Sequence, residues 1–332
     1  MYRIALIEGD GIGPEISRSV TDVLGALKEP KLSIERFDAG DRALKEHGTA
    51  LPPETIRGVE ESDACLKAPV GESAADVIVA LRRRLDLYAN VRPAKSHPGM
   101  PAIRDDIDLL IARENTEDLY TGNEFFIDGA AVALRTITER ASERIARYAL
   151  KAAMTRRRKV TCVHKANVMR VTDGLFASTC RRVAAEYPDV EFGEMYVDAC
   201  AMNLIRRPEW FDVIVTTNLF GDILSDESSQ AAGGLGMAPA GNIGDKFAIF
   251  EPVHGAAFDI AGKNEANPSS FLLSAAMMLG WLGGRNDDAT CLVAATRLNA
   301  AVYGAVKEGI KTKDMGGSAG TDKFTAEIIS RL

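Results

Sequence analysis

The chain has 332 residues, a length that fits one large or two ordinary domains. Apolar residues make up 46% and charged residues 26%, enough for a sizeable core and unlike a disordered or collagen-like chain. With 40 basic against 47 acidic side chains the net charge is −7, a field that repels polyanions and argues against a nucleic-acid binder.

No apolar run approaches the roughly 18 residues of a membrane span, and Met1–Arg3 leads straight into a short strand rather than a signal-peptide core. The sequence therefore reads as a cytoplasmic protein with no membrane partner. Cys65, Cys162, Cys180, Cys200 and Cys291 are scattered without CxxC spacing, which points to reduced, mostly buried thiols rather than disulfides or a zinc site.

In chain order, Arg3–Ile7 reads as the first strand. Glu8-Gly-Asp-Gly-Ile-Gly-Pro14 follows as a strand-to-helix turn whose glycines could bring backbone amides close to a ligand, although such turns are common without one. Leu32–Phe37 and Asp63–Leu66 read as strands and Ser73–Arg84 as a helix. That helix ends in Arg82-Arg83-Arg84, of which at most one or two can face one pocket, because successive helical positions point in different directions. Arg92 follows the strand-like Leu85–Val91, and Arg113 ends the strand Ile107–Ala112. Three separated segments can thus each aim a guanidinium at one place, an arrangement suited to bidentate binding of carboxylates.

Thr121–Thr138 interrupts the alternation of strand and helix. Phe125-Phe126-Ile127 and Val132–Ile137 flank Asp128-Gly129, a strong signal for a tight hairpin turn; two isolated strands are marginal in water, so this hairpin is expected to pack against a partner chain. Glu139–Arg156 is helical, with Ile145, Ala146, Ala149, Leu150 and Ala153 on one face and Glu143, Arg144, Arg147 and Lys151 on the other. The run Arg156–Lys159 reads as a solvated cap of that helix.

The strand Lys159–Val163 ends at His164-Lys165-Ala166-Asn167, where α/β folds place ligand-binding side chains; a lysine lowered in pKa there can act as a base, and a surface lysine is the plainer alternative. Asp173–Glu186 reads as a helix and Phe211–Thr216 as a strand. The helix Asn218–Ala232 sets Asp222 and Asp226 one turn apart, where two like charges repel unless solvated or bridged by a hard divalent cation such as Mg²⁺ or Mn²⁺. Finally, the strand Phe247–Phe250 leads into Glu251–Asp259, where a glycine near an acidic residue is compatible with a nucleotide whose ribose needs an acceptor.

The order and spacing of GDGIGPE, LYANVRP, RENTEDLY, HKAN, NLFGDILSD, APAGNIGD and EPVHGAAFDIAGK resemble, from end to end, the metal-dependent β-decarboxylating dehydrogenases of the isocitrate/isopropylmalate type. The resemblance implies an α/β fold of two domains unlike the Rossmann fold, with residues 1–87 and 233–332 forming the first and 88–232 the second. It also implies a homodimer, or a tetramer, with Thr121–Thr138 as an intersubunit clasp and active sites shared between subunits.

By the same resemblance, Arg82, Arg92 and Arg113 clamp the carboxylates of a malate-type substrate, Tyr120 is the general acid, and Lys165 from the neighbouring subunit helps remove the hydroxyl proton. Asp222 and Asp226, with Asp198 from the neighbour, are the implied ligands of Mg²⁺ or Mn²⁺. Glu251, His254, Gly255, Asp259 and Asn267 are implied for the dinucleotide. Asp259 favours NAD, since a carboxylate would repel the 2′-phosphate of NADP. Phe258 departs from the proline usual in the family.

The resemblance also implies that Ile78 and Val79 meet the substrate's variable group, and both are apolar, which suits an isopropyl or methyl group and leaves a third carboxylate unpaired. The expected activity is therefore NAD-dependent oxidative decarboxylation of 3-isopropylmalate, a step of leucine biosynthesis, with 3-methylmalate as a further substrate to consider. Homoisocitrate or isocitrate is the alternative, supported by the absence of a glutamate at Ala75 and by the resemblance of Leu85–Lys95 and Asp198–Asn203 to homoisocitrate enzymes. Asp76 has no assigned role.

Overall fold

Apolar runs bounded by turn residues become strands and amphipathic segments become helices along the whole chain. The computed structural model describes residues 1–332. Its first part runs β1 (Tyr2–Ile7), α1 (Gly13–Ala26), β2 (Leu32–Phe37), α2 (Asp41–His47), α3 (Pro53–Glu60), β3 (Ala64–Lys67), α4 (Ala80–Arg84), β4 (Ala89–Lys95) and β5 (Asp108–Glu114). A hairpin of β6 (Glu124–Ile127) and β7 (Ala130–Ala133) precedes α5 (Glu139–Met154), β8 (Lys159–His164), α6 (Thr172–Ala184), β9 (Glu191–Tyr196), α7 (Val197–Arg206), β10 (Val213–Thr216) and α8 (Asn218–Ala232). The chain closes with β11 (Pro239–Ile243), β12 (Ala248–Pro252), α9 (Ser269–Asn286), α10 (Ala289–Lys307) and α11 (Thr321–Ser330).

Ten strands form one sheet in the order β2-β1-β3-β12-β11-β4-β5-β10-β8-β9. Pairing is parallel through β2, β1, β3 and β12, antiparallel across β12, β11, β4 and β5, and parallel again through β5, β10, β8 and β9. Two parallel halves of opposite sense are therefore joined by antiparallel strands at the centre, and the charged residues of interest gather at that join.

Three expectations change. The helix foreseen over Ser73–Arg84 is a π-helical turn at Ala75–Val79 followed by α4. The strand foreseen over Leu85–Val91 begins only at Ala89, because Asp86 turns the chain with φ of 50°. The run Arg156–Lys159 is a solvated cap only in part: Arg157 and Arg158 are exposed, but Arg156 donates to Asp212 and Asp108 at 2.8 Å, and Asp212 is wholly buried, so Arg156 ties the end of α5 to the entry of β5 and β10.

All five cysteines are buried and unpaired. An 18-residue window of the 19-residue α10 has a mean hydropathy of 1.2, enough by length and composition alone to cross a membrane, although Arg297 and Asn299 interrupt it. Here that apolarity serves the interior, since Cys291, Ala294, Leu298, Val302 and Ala305 are buried in the main core along with α9. The hairpin turns at Asp128-Gly129, both with positive φ, and leaves Phe125, Phe126, Ile127 and Leu134 exposed, Phe126 by 84%.

Candidate active site

The register of β4 with β5 sets Asn90 opposite Arg113, and side chains two apart on a strand share a face, so Asn90, Arg92 and Arg113 point the same way. From α4, Arg82 turns inward to join them while Arg83 and Arg84 stay exposed. All three inward arginines are buried. Helix α8 packs over β4 and β5, and Gly221 makes the room: a Cβ there would lie 2.5 Å from the Arg113 side chain.

Each guanidinium is oriented by an amide. Arg82 Nε donates to Asn242 Oδ1 at 2.9 Å, Arg92 Nε to Asn90 Oδ1 at 2.9 Å, and Arg113 Nε to Asn218 Oδ1 at 2.9 Å. Burial, with the neighbouring guanidinium groups and against the charge of Glu251, lowers the pKa of Arg82 to about 10 and holds that of Arg92 below its ordinary value. Arginine remains cationic at neutral pH, so the cluster is a concentrated positive site in an acidic protein.

The counter-charges come from α8. Asp222 accepts from Arg113 through one oxygen and from the Tyr120 hydroxyl through the other, and Asp226 lies 3.2 Å from Arg92 Nη1. Burial pushes Asp222 up, but Arg113, the Tyr120 hydrogen bond and Arg92 outweigh it and hold the carboxyl below the usual range. Asp226 is pushed the other way by burial, aided by the charge of Asp222. A strained pair of carboxylates one helical turn apart, with oxygen as its only donor type, fits a hard divalent cation rather than zinc. Tyr120 lies on a 3₁₀ turn under the Arg113 guanidinium, 5.0 Å from it, and burial raises its hydroxyl to about 12.

Lys165 and Asp198 pair with each other at the end of β8 and the start of α7. No hydrogen bond or ion pair within the chain joins them to Tyr120, Asp222 or Asp226.

A separate cavity of about 640 Å³ is lined by Ile12, Gly236, His254, Gly255, Ala257, Ile260, Glu265, Asn267, Lys313 and Asp314. His254 Nδ1 lies 3.1 Å from the Gly255 carbonyl, so this nitrogen carries the proton and Nε2 is left as a buried acceptor with no partner. Burial also lowers the His254 pKa, keeping the ring neutral. Asn267 is fixed by Asp314 at 2.9 Å and by the Ser269 amide at 3.0 Å. An unpartnered acceptor and a fixed amide in a cavity of this size fit a nucleobase. Asp259 is exposed between the lining residues Ala257 and Ile260.

Other expected site residues are placed differently. Glu251 is buried on β12, accepting from Lys67 at 2.8 Å, Asn242 at 2.8 Å and Arg82 at 3.3 Å, and does not line the dinucleotide-sized cavity. The glycine turn spends the amides of Asp10 and Ile12 on the carbonyls of Pro69 and Ala256, and a Cβ on Gly11 would fall 2.0 Å from that second oxygen, so the glycines serve close packing of loops. Ile78 is 9% exposed and belongs to a core cluster, whereas Val79 is half-buried and Asp76 exposed. Lys67, Asn90, Lys313 and Asp314 were not foreseen. Asn242 lies inside the motif APAGNIGD, the one signal that could have drawn attention to it.

These features define an α/β enzyme with a carboxylate-binding cluster beside an acidic pair, and the chain belongs to the isocitrate/isopropylmalate dehydrogenase family, whose model matches residues 3–330. Over 336 residues, 100% of this chain and 99% of the relative, it is 54% identical to the 3-isopropylmalate dehydrogenase of Sulfurisphaera tokodaii. Over 338 residues, 100% of this chain and 98% of the relative, it is 48% identical to the isocitrate/homoisocitrate dehydrogenase of Thermus thermophilus. The crystal structure of isocitrate dehydrogenase from Methylococcus capsulatus superposes with a TM-score of 0.93 at 42% identity, covering 100% of this chain and 99% of that one.

Proposed function

We propose that this chain catalyses NAD-dependent oxidative decarboxylation of 3-isopropylmalate, in leucine biosynthesis in the cytoplasm. The observation that carries this is the meeting of three buried arginines with Asp222 and Tyr120, in a protein whose relative of 54% identity is a 3-isopropylmalate dehydrogenase. Arg82, Arg92 and Arg113 would bind the two substrate carboxylates, replacing part of their present pairing with Asp222 and Asp226. His254 and Asn267 would hold the adenine, with Asp259 accepting from the ribose.

Lys165 of the neighbouring subunit would take the proton of the substrate hydroxyl, directly or through water, and NAD held by His254 and Asn267 would supply the hydride acceptor for C2. The C3–carboxylate bond then breaks, carbon dioxide departs, and the bonding electron pair stays on the substrate as the enolate. Tyr120 donates its hydroxyl proton to C3, giving the 2-oxo acid. Mg²⁺ or Mn²⁺ held by Asp222, Asp226 and the neighbour's Asp198 would supply acidification of the hydroxyl and polarisation of the new oxo group.

The hairpin supports a homodimer, because Phe125, Phe126 and Ile127 stand exposed on a two-stranded sheet that nothing else in the chain covers. Residues 1–87 with 233–332, and residues 88–232, would then be the two domains closing on substrate. The 48% identical isocitrate/homoisocitrate relative favours a second reading, in which the substrate has a third carboxylate. NADH formation with Mg²⁺ or Mn²⁺ on 3-isopropylmalate, 3-methylmalate, isocitrate and homoisocitrate separates them. Highest kcat/KM on 3-isopropylmalate is expected, and highest on a tricarboxylate would install the second reading.

A further inference from the structure

Among the charged groups that the clamp, acid and base leave unused is Arg135. Arg135 follows the second strand of the hairpin, and its side chain is 12% exposed between two aspartates, Asp118 and Asp173, that are both fully buried. Its Nε donates to Asp118 Oδ1 at 2.6 Å, Nη1 pairs with Asp173, and Nη2 donates to Thr217 Oγ1 at 2.8 Å. The guanidinium also lies 5.0 Å over the ring of Phe220.

Each of those partners fixes one segment of the proposed active site. Asp118 precedes Tyr120 and accepts from the Leu119 amide at 2.9 Å, shaping the turn that aims the phenol. The other oxygen of Asp118 accepts from the Leu219 amide at 3.1 Å, and Thr217 is the N-cap position of α8, which carries Asp222 and Asp226. Asp173 accepts from the backbone amide of Lys165 at 2.6 Å. One guanidinium thus joins the backbone at Leu119, next to Tyr120, at the start of the acidic helix and at Lys165.

We propose that Arg135 is a positioning residue that sets the general acid of its own subunit's active site and, through Asp173, the lysine delivered to the partner's, so that the two sites of a dimer share one internal strut. This rests on the roles assigned above to Tyr120 and Lys165. Arg135 touches no substrate and acts only through the segments it holds. A fork of donors is required: lysine keeps the charge but cannot reach Asp118, Asp173 and Thr217 at once.

The test uses mixed dimers. When a Tyr120→Phe chain is combined with a Lys165→Met chain, one of the two sites contains the unchanged Tyr120 of the second chain and the unchanged Lys165 of the first, so activity absent from either homodimer returns. Adding Arg135→Lys to the first chain probes the lysine, and adding it to the second probes the tyrosine. Recovered kcat is expected to fall roughly 10- to 100-fold in both placements, the scale of an ångström-sized misplacement, with KM little changed. Asp173→Asn, which keeps an oxygen for the Lys165 amide, should lower kcat only on the lysine-donating chain and serves if Arg135→Lys does not fold. A loss in only one placement of Arg135→Lys, or in neither, overturns the strut. Homodimers of Tyr120→Phe and Lys165→Met that retain turnover, or mixing that recovers nothing, overturn the underlying roles instead.

Discussion

The hydroxyl of Tyr120 donates to one carboxylate oxygen of Asp222 while Arg113 donates to the other, so a single aspartate ties the proposed acid to the carboxylate clamp. Burial raises Tyr120 to about 12, which leaves the phenol protonated across the neutral range, the form a proton donor needs. Tyr120→Phe keeps the ring under Arg113 and removes only the proton. Its kcat is expected to drop by about 10²- to 10⁴-fold with little change in KM, the range for loss of a general acid. Steady-state NADH formation measures this, and an unchanged kcat would take Tyr120 out of proton delivery.

Specificity should divide between two adjacent residues. Val79 is half-buried, packed against the edge of the core cluster with part of its surface left to meet a variable group, whereas Ile78 is buried within that cluster. Val79→Arg is expected to shift kcat/KM toward isocitrate or homoisocitrate by roughly 10- to 100-fold, the worth of a charged hydrogen bond of about 1.5–3 kcal/mol. Ile78→Ala should instead cost about 2–5 kcal/mol of stability with specificity unchanged, because it opens a cavity in the core. Substrate panels and denaturant unfolding of both variants check the split; a specificity change at Ile78 alone would reverse the assignment.

What was legible in the sequence depended on range. Asn218–Ala232 folds with the bounds its period indicates, and Asp128-Gly129 makes the turn its chemistry requires, because both signals lie within a few residues of each other. The arginines could be named as converging, but apart from Asn90 beside Arg92 their partners could not, since Asn242 lies 160 residues from Arg82; Lys67 likewise lies 184 residues from Glu251. Sheet order decides such pairs, and periodicity carries no information about it. Arg135 went unnoticed for the same reason: its hairpin setting is local, but Asp118 and Asp173 reach it through the fold. Likewise Lys313 and Asp314 line the cavity from a loop with no motif of its own.

The buried pair of Glu251 with Lys67 separates a role in the fold from a role in dinucleotide binding. Burial pushes the Glu251 carboxyl up, yet Lys67 and Arg82 overcome this and hold it at about 2, against an ordinary value of 4.5. A depressed carboxyl stabilises the fold above its unfolded pKa, and that contribution is lost as pH falls from about 4.5 to about 2. Glu251→Gln leaves Lys67 buried without its counter-charge and is expected to cost about 3–5 kcal/mol at neutral pH, with a flatter acid limb of the stability curve. NAD affinity, followed by fluorescence titration, should stay near that of the parent. Loss of NAD affinity with stability retained would return Glu251 to the dinucleotide site.

Glu117 gives the opposite sign. It is buried beside Glu114 and accepts from the amide and hydroxyl of Thr138, the N-cap of α5, at 2.8 Å each. Burial, reinforced by the charge of Glu114, pushes its carboxyl up to about 7 despite the hydrogen bonds from Thr138. Between the unfolded value of 4.5 and about 7 the folded chain binds a proton that the unfolded chain has lost, so the stability from this group is complete below that window and declines as pH rises through it. Glu117→Gln preserves the shape and an acceptor for the Thr138 amide but cannot ionise. Thermal unfolding across the window should show the parent's Tm falling relative to the variant's as pH rises, with the two converging at the acid end. A constant difference between the two curves at every pH would show that Glu117 does not titrate there, and would place the proton on another buried group.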